Sequence, residues 1–373
     1  MGVPKAIFLR LANAALRLLP IRRRTVLLQT FQGDYCCNPK YVTEPLAARP
    51  GVKVVWALDR HSDARSLPAC VKVVRKGSLR YYLAVSTAKV WFENGLNLVR
   101  SPYIRKRRGQ VYFQPLHGSL GLKRQGLAGP EIRAKADAIT DYCISNSAFE
   151  TEVYRTSYWP TTEILEYGHP RNDVFFRSAA EKAQIAARVR KALGVGPATR
   201  LALYAPTFRP DGDVSCLDLD PVMLGEALAR RFGGDWAVLF RFHKRDMARH
   251  GAPSGSWVDA SGISDMQELM LACEVGVTDY SSWICDFVLG DGFGFIYARD
   301  MEKYAASPGF YYPLETTPFP VARSNEELAA AVAAFDEERY RSAKSEFVRS
   351  KGCVEDGRAA ERCAGKIVEV LGQ

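Results

Sequence analysis

Short runs of β-branched and aromatic residues alternate with helical patterns along this chain, and the alternation starts twice. Thr25-Val26-Leu27-Leu28, Val52 to Trp56, Val71 to Val74, Lys89 to Phe92, Val111 to Phe113, Tyr142 to Ser145 and Glu163 to Leu165 read as strands of a largely parallel sheet with helices between them. The Ala-, Arg- and Lys-rich run from Ser178 to Leu193 reads as a helix, closed by Gly194-Val195-Gly196-Pro197, which serves as a hinge. Beyond it Leu201 to Tyr204, Trp236 to Phe240, Val275 to Val277 and Gly294 to Tyr297 begin a second sheet. The expected fold is α/β, with one domain over 25–193, another over 197–373, and a cleft between them. Two domains also suit 373 residues, since single cores usually stop growing below this size. Helical stretches from Asn325 to Phe335 and Val354 to Leu371 would cover a sheet face or pack back toward the first domain.

A formal net charge of +10 asks for an anionic partner, and nucleic acid, an acidic membrane surface and a phosphorylated substrate all answer that description. The nine cysteines are odd in number, scattered and without a Cys-x-x-Cys, which suits neither a disulfide framework nor a zinc site and points to a reduced cytosolic interior. No apolar run is long enough to span a bilayer. Residues 1–24 combine Ile7-Phe8-Leu9, Leu11 and Leu18-Leu19 with Lys5, Arg10, Arg17 and Arg22-Arg23-Arg24 and contain no acidic residue. This is the pattern of a basic amphipathic helix, which lies in the headgroups of an anionic leaflet or packs on the domain with its charges solvated. Arginines interrupting the apolar part speak against a secretory signal.

Polar groups collect where strands end. His117 follows the strand at Val111 and precedes Gly118; His169 follows Glu163 to Leu165 and precedes Pro170-Arg171; His243 ends the Trp236 strand between Arg241 and Lys244-Arg245. A neutral imidazole takes a proton from a hydroxyl near neutral pH, so His117 is the base candidate, with Lys123 adding positive charge beside it. The cationic setting of His243 suits donation to an anion. Thr207 and Arg209, leaving the first strand of the second domain, offer a hydroxyl and a guanidinium to a phosphate or ribose, or form an ordinary loop. Asp279-Tyr280-Ser281-Ser282 joins an apolar strand to an apolar helical pattern, so its serines either cap that helix or receive a phosphate at its N-terminus. Asp265, with Glu268 three residues on, reads as a capping box. Asp211-Gly212-Asp213 reads as a turn, although it has the spacing of a metal-binding Asp-x-Asp. P-loop, dinucleotide and Gly-x-Ser-x-Gly motifs are absent, and a nucleic-acid role would rest on charge alone, so none is expected.

Seven stretches in order, Gln114 to Lys123 (QPLHGSLGLK), Tyr142 to Tyr154, Glu166 to Asp173 (EYGHPRND), Leu203 to Arg209 (LYAPTFR), Arg241 to His243, Thr278 to Asp286 (TDYSSWICD) and Glu302 to Tyr312, resemble the CDP-glycerol glycerophosphotransferases, the teichoic acid and capsule polymerases and primases. The resemblance runs from about Gln29 to Phe335, with Leu116 standing where the family often has Trp. It implies a GT-B fold of two Rossmann-like domains, attachment to the cytoplasmic face of the membrane, and transfer of glycerol phosphate from CDP-glycerol to a hydroxyl with release of CMP. It also implies that His117 is the base and His243 a catalytic group at the donor phosphates. Gly118, Thr207, Arg209, Arg241, Lys244, Asp279, Ser281 and Ser282 then become donor-binding candidates, Asp265 and Glu268 candidates on the cytidine side, and Lys123, His169 and Arg171 further candidates. The expected partners are a CDP-polyol and a glycan or polyol-phosphate acceptor, lipid-linked in some settings; neither metal nor cofactor is called for. Two alternatives stay open: a GT-B glycosyltransferase using a nucleotide sugar, and a non-catalytic membrane-associated protein that binds anionic polymers.

Overall fold

In the computed structural model, which describes residues 14–118, 120–124, 129–207, 217–242, 256–306 and 309–372, the chain forms two compact units. The first is assembled from 1–117, 126–173 and 354–373, the second from 118–125 and 174–353. The unit boundary therefore falls at Asp173/Val174, ahead of the expected hinge. The helix Ala179–Leu193 belongs to the second unit, where it packs against the helix Met266–Leu271. Its ends are as expected: Ser178 and Glu181 form a capping box, and Gly194 closes it in the left-handed region at φ +68°.

The first unit holds β1 (Arg22–Gln29), β2 (Lys53–Leu58), β3 (Lys72–Arg75), β4 (Ala88–Glu93), β5 (Val111–Gln114), β6 (Tyr142–Ser145) and β7 (Glu163–Glu166). All pairs are parallel, in the order β3-β2-β1-β4-β5-β6-β7. Residues 25–29 of β1 are buried without alternation, which is what a strand covered on both faces requires. One cover is the helix Ala359–Gly372, whose Cys363, Ala364, Ile367, Val370 and Leu371 recur at helical spacing and join Val26, Leu28, Trp56, Phe92 and Phe113 in one core. Asp173 accepts from Ala359 N (3.0 Å) and Ala360 N (2.8 Å) at the start of that helix, and burial pushes its carboxyl up to about 6.

The second unit holds β8 (Arg200–Tyr204), β9 (Trp236–Phe240), β10 (Val258–Asp259), β11 (Val275–Thr278), β12 (Phe293–Tyr297) and β13 (Val321–Ala322), again parallel, in the order β10-β9-β8-β11-β12-β13. Both are doubly wound Rossmann-like sheets, the two-unit pattern of the GT-B class. Strand order reverses between β1 and β4 in one and between β8 and β11 in the other, the positions beyond whose carboxyl ends such sheets bind ligands.

Arg22, Arg23 and Arg24 open β1 as exposed residues instead of ending an amphipathic helix. Leu18, 87% exposed, precedes them, and residues 1–13 of the expected helix lie outside the described residues. Among the described residues no helix is long and apolar enough to cross a membrane, and every cysteine is free.

Candidate functional site

Each sheet brings polar loops together at its reversal point. In the first unit, His117 follows β5, Phe31 follows β1 and Asn94 follows β4, and the three meet. The His117 ring stacks on Phe31 with centroids 4.3 Å apart at 11°, and its Nδ1 lies 2.8 Å from the Asn94 carbonyl oxygen. A carbonyl only accepts, so Nδ1 carries a proton and donates it to this bond. The histidine is exposed although its neighbours Leu116 and Gly118 are buried.

Polar groups beneath hold this arrangement. Leu116 adopts φ +46°, a conformation that costs a leucine about 1–3 kcal/mol. It is held there because its N–H donates to Gln114 Oε1 (2.9 Å) and its carbonyl accepts from Asn38 Nδ2 (3.0 Å). Gln114 Nε2 donates to the Gly95 carbonyl and to Tyr112 Oη (2.9 Å), and Tyr112 donates to Glu93 Oε2 (2.8 Å). Burial raises the Glu93 carboxyl, opposed by Tyr112 and by the N–H groups of Leu98 and Asn97 that it accepts. On the loop preceding Phe31, Lys76 Nζ donates to the Thr30 carbonyl (2.8 Å), and burial lowers its ammonium against the pull of Asp59, Glu93 and Asp34.

In the second unit, Asp279 is buried, and its Oδ1 accepts from Thr207 N (2.8 Å) and Tyr280 N (2.5 Å). Thr278 Oγ1 and Trp283 Nε1 both donate to the Ala205 carbonyl at 2.8 Å. The loop after β8 and the turn after β11 are thus laced into one structure. Asp279, expected among the donor-binding groups, spends its Oδ1 on backbone and acts as the lace. The helix after it, Trp283–Phe287, has five residues, and Ser282 stands at its N-cap position with αR angles and no side-chain capping bond. The expected side-chain cap is therefore not formed by Ser282, and the turn presents two half-buried serines.

The other candidates divide. Arg241, at the end of β9, places Nη1 2.7 Å from Met266 Sδ and donates from Nη2 to the Ser264 carbonyl (3.2 Å). Asp265 is buried and caps Met266–Leu271 through Gln267 N (3.0 Å) and Glu268 N (3.1 Å), while Glu268 lies 3.6 Å from Arg188; both side chains are engaged in the protein. Lys123 is in the second unit, bridged to Phe310, and Gly118 opens the same segment. His169 and Arg171 are sealed inside the first unit. His169 Nε2 lies 2.8 Å from Glu150 Oε2, its N–H donates to Glu355 Oε1 (3.0 Å), and Arg171 N donates to Asn38 Oδ1 (3.1 Å). These two residues hold the segment after β7 in place. Arg209, His243 and Lys244, with the Asp211-Gly212-Asp213 turn, lie outside the described residues.

Phe31, Asn94 and Gly95 were not among the sequence candidates. The signal available was an Asn-Gly directly after the buried run Val90 to Glu93. A Cβ on Gly95 would fall 2.7 Å from Phe31 Cβ, so the ring that supports His117 needs a glycine there. Among the described residues no group of three His, Cys, Asp or Glu is gathered as a metal would require.

The sequence model of a family described as CDP-glycerol:poly(glycerophosphate) glycerophosphotransferase matches residues 11–369. The teichoic acid poly(glycerol phosphate) polymerase of Staphylococcus epidermidis is 28% identical over 373 residues, covering 91% of this chain and 50% of its own length. The teichoic acid glycerol-phosphate transferase of Staphylococcus aureus is 26% identical over 362 residues, covering 91% of this chain and 92% of its own. Among solved structures, the wall teichoic acid polymerase TagF superposes with a TM-score of 0.81 at 26% identity, over 99% of this chain and 96% of that one. The chain spans about half the length of the Staphylococcus epidermidis polymerase and of the Bacillus subtilis one it also matches.

Proposed function

This chain belongs to the CDP-glycerol:poly(glycerophosphate) glycerophosphotransferase family, and from that premise we propose that it transfers glycerol phosphate, or a related polyol phosphate, from a CDP-alcohol to a hydroxyl of a cell-surface polymer or lipid-linked glycan, releasing CMP. The observation that carries this reading is the exposed His117 ring at the end of β5, whose Nδ1 donates to the Asn94 carbonyl, the tautomer in which Nε2 is the basic nitrogen. The acceptor O–H gives its proton to Nε2 and its oxygen attacks the β-phosphorus. The bond from that phosphorus to the bridging oxygen breaks, and CMP leaves with the electron pair. Charge on the departing phosphate is met by the Ser281 and Ser282 hydroxyls, by Arg241 and by the cationic segment at His243 and Lys244. No metal or cofactor is assigned a role.

Incubation with CDP-glycerol and a short glycerol-phosphate acceptor is expected to release CMP and extend the acceptor by one glycerol-phosphate mass. Release of UDP or GDP from sugar donors, with none of CMP, would install the glycosyltransferase alternative instead. Ser282→Ala combined with His243→Ala is expected to weaken CDP-glycerol binding about tenfold or more, as loss of hydrogen bonds to a charged group does; unchanged affinity in calorimetry would remove both from the donor site. Gly95→Ala is expected to displace Phe31 and lower turnover about tenfold while donor affinity holds, since misplacing a base slows chemistry more than binding. Equal turnover would show that the stacked ring does not depend on that contact.

We infer attachment to the cytoplasmic face of the membrane through residues 1–24, supported by the exposed Leu18 beside Arg17 and the exposed Arg22 to Arg24.

A further inference from the structure

One sizeable concavity is not at either reversal point. It lies in the second unit at the opposite, amino-terminal edge of the sheet, where Arg200 opens β8, Glu274 precedes β11 and Phe293 opens β12, and its volume is about 660 Å³. That is within the usual range for an organic ligand. Doubly wound sheets place their chemistry at the other edge, so the donor reading leaves this pocket unexplained.

Its lining is chemically specific. Five cationic side chains face three carboxylates, a surplus of two positive charges. The floor is aromatic: Phe232 and Phe293 stack at 5.6 Å and 20°. Guanidinium groups lie on aromatic faces, Arg200 4.5 Å above Trp236, Arg231 5.0 Å above Phe232 and Arg341 5.6 Å above Phe293. Two of them are also tied to carbonyls, Arg200 Nη1 to Phe232 O (2.7 Å) and Arg231 Nη2 to Phe335 O (2.7 Å). A guanidinium has five N–H donors, so Arg200, and Arg231 whose Nε also donates to Phe335 O (3.2 Å), each keep a further in-plane edge for a phosphate while stacking fixes its direction. Fixed cations above apolar rings suit a ligand that alternates anionic phosphates with C–H-rich polyol units.

We infer that this pocket is a binding site for a polyol phosphodiester, distinct from the site of transfer and resting on the proposed function only for the source of such a ligand, the polymer being extended. Free nucleotide and inorganic phosphate share the anionic chemistry but have only one end to offer, without the repeated spacing of charge.

The test uses the full chain without donor and measures binding of a synthetic glycerol-phosphate hexamer, CMP and inorganic phosphate by calorimetry. Lys182→Glu/Arg341→Glu reverses two partly exposed cations, with side-chain exposures of 27% and 60%. It is expected to keep the melting temperature and weaken hexamer binding about tenfold or more, the scale of lost charge-assisted hydrogen bonds. Glu337→Gln, which removes a carboxylate 3.5 Å from Arg341, is expected to tighten it, a change no packing role predicts. Hexamer affinity unaltered by both variants, or CMP and phosphate bound as tightly as the hexamer and lost with the same charges, overturns the inference. If the wild type binds the hexamer through these residues yet releases no CMP from CDP-glycerol, the pocket stands and the proposed reaction falls.

Discussion

Replacing His117 with alanine is expected to lower turnover about 10²- to 10⁴-fold, the usual contribution of a positioned general base. CDP-glycerol affinity should hold, because the exposed ring is held within its own unit by the Asn94 carbonyl and the Phe31 stack, and removing a base slows chemistry more than binding. The melting temperature should change little, since an exposed side chain is removed. A second variant gives a sharper readout: His117→Gln, which keeps a hydrogen-bonding group but no base, should be as impaired as alanine. Activity within a few-fold of wild type in either variant would take the base role away from His117.

Asp279→Ala has the second-largest expected effect, felt in stability and donor affinity together. Its Oδ1 satisfies two backbone N–H groups in a buried setting, so alanine strands both and is expected to cost about 2–4 kcal/mol in urea unfolding. The loop after β8 and the turn carrying Ser281 and Ser282 would then separate, and donor affinity should fall with them. Asp279→Asn retains an acceptor oxygen and is expected to recover most of both. Stability lost with donor affinity unchanged would show that these loops do not form the donor site.

The strands were readable because both faces of each central strand are covered, which writes an uninterrupted apolar run. β10 and β13, two residues each, carry no such signature. The helix Glu337–Ser350 escaped because only Tyr340 and Phe347 of its fourteen residues are buried, too thin a stripe for a period to register. The base was legible as a histidine at a strand end. Phe31 and Asn94 were not, because β1 and β4 become neighbours only when the strand order reverses. His169 shows the converse: the local sequence has the look of a strand-end polar cluster, yet Glu150, Glu355 and Asn38, distant in sequence, turn it inward. The unit boundary was illegible for the same reason, since 118–125 and 354–373 depart from their sequence neighbours to join distant segments.

The threading of the chain imposes an order on biosynthesis. The strand Arg22–Gln29 leaves the ribosome well before Cys363, Ile367, Val370 and Leu371, which cover that strand's core. Until then the oldest sheet waits with one apolar face open, while the second unit, interrupted only by the borrowed 118–125 segment, has all of its residues in hand by Cys353. A nascent chain stalled before residue 354 should therefore present a protease with a resistant second unit and a vulnerable first one, the reverse of what simple N-to-C folding would give.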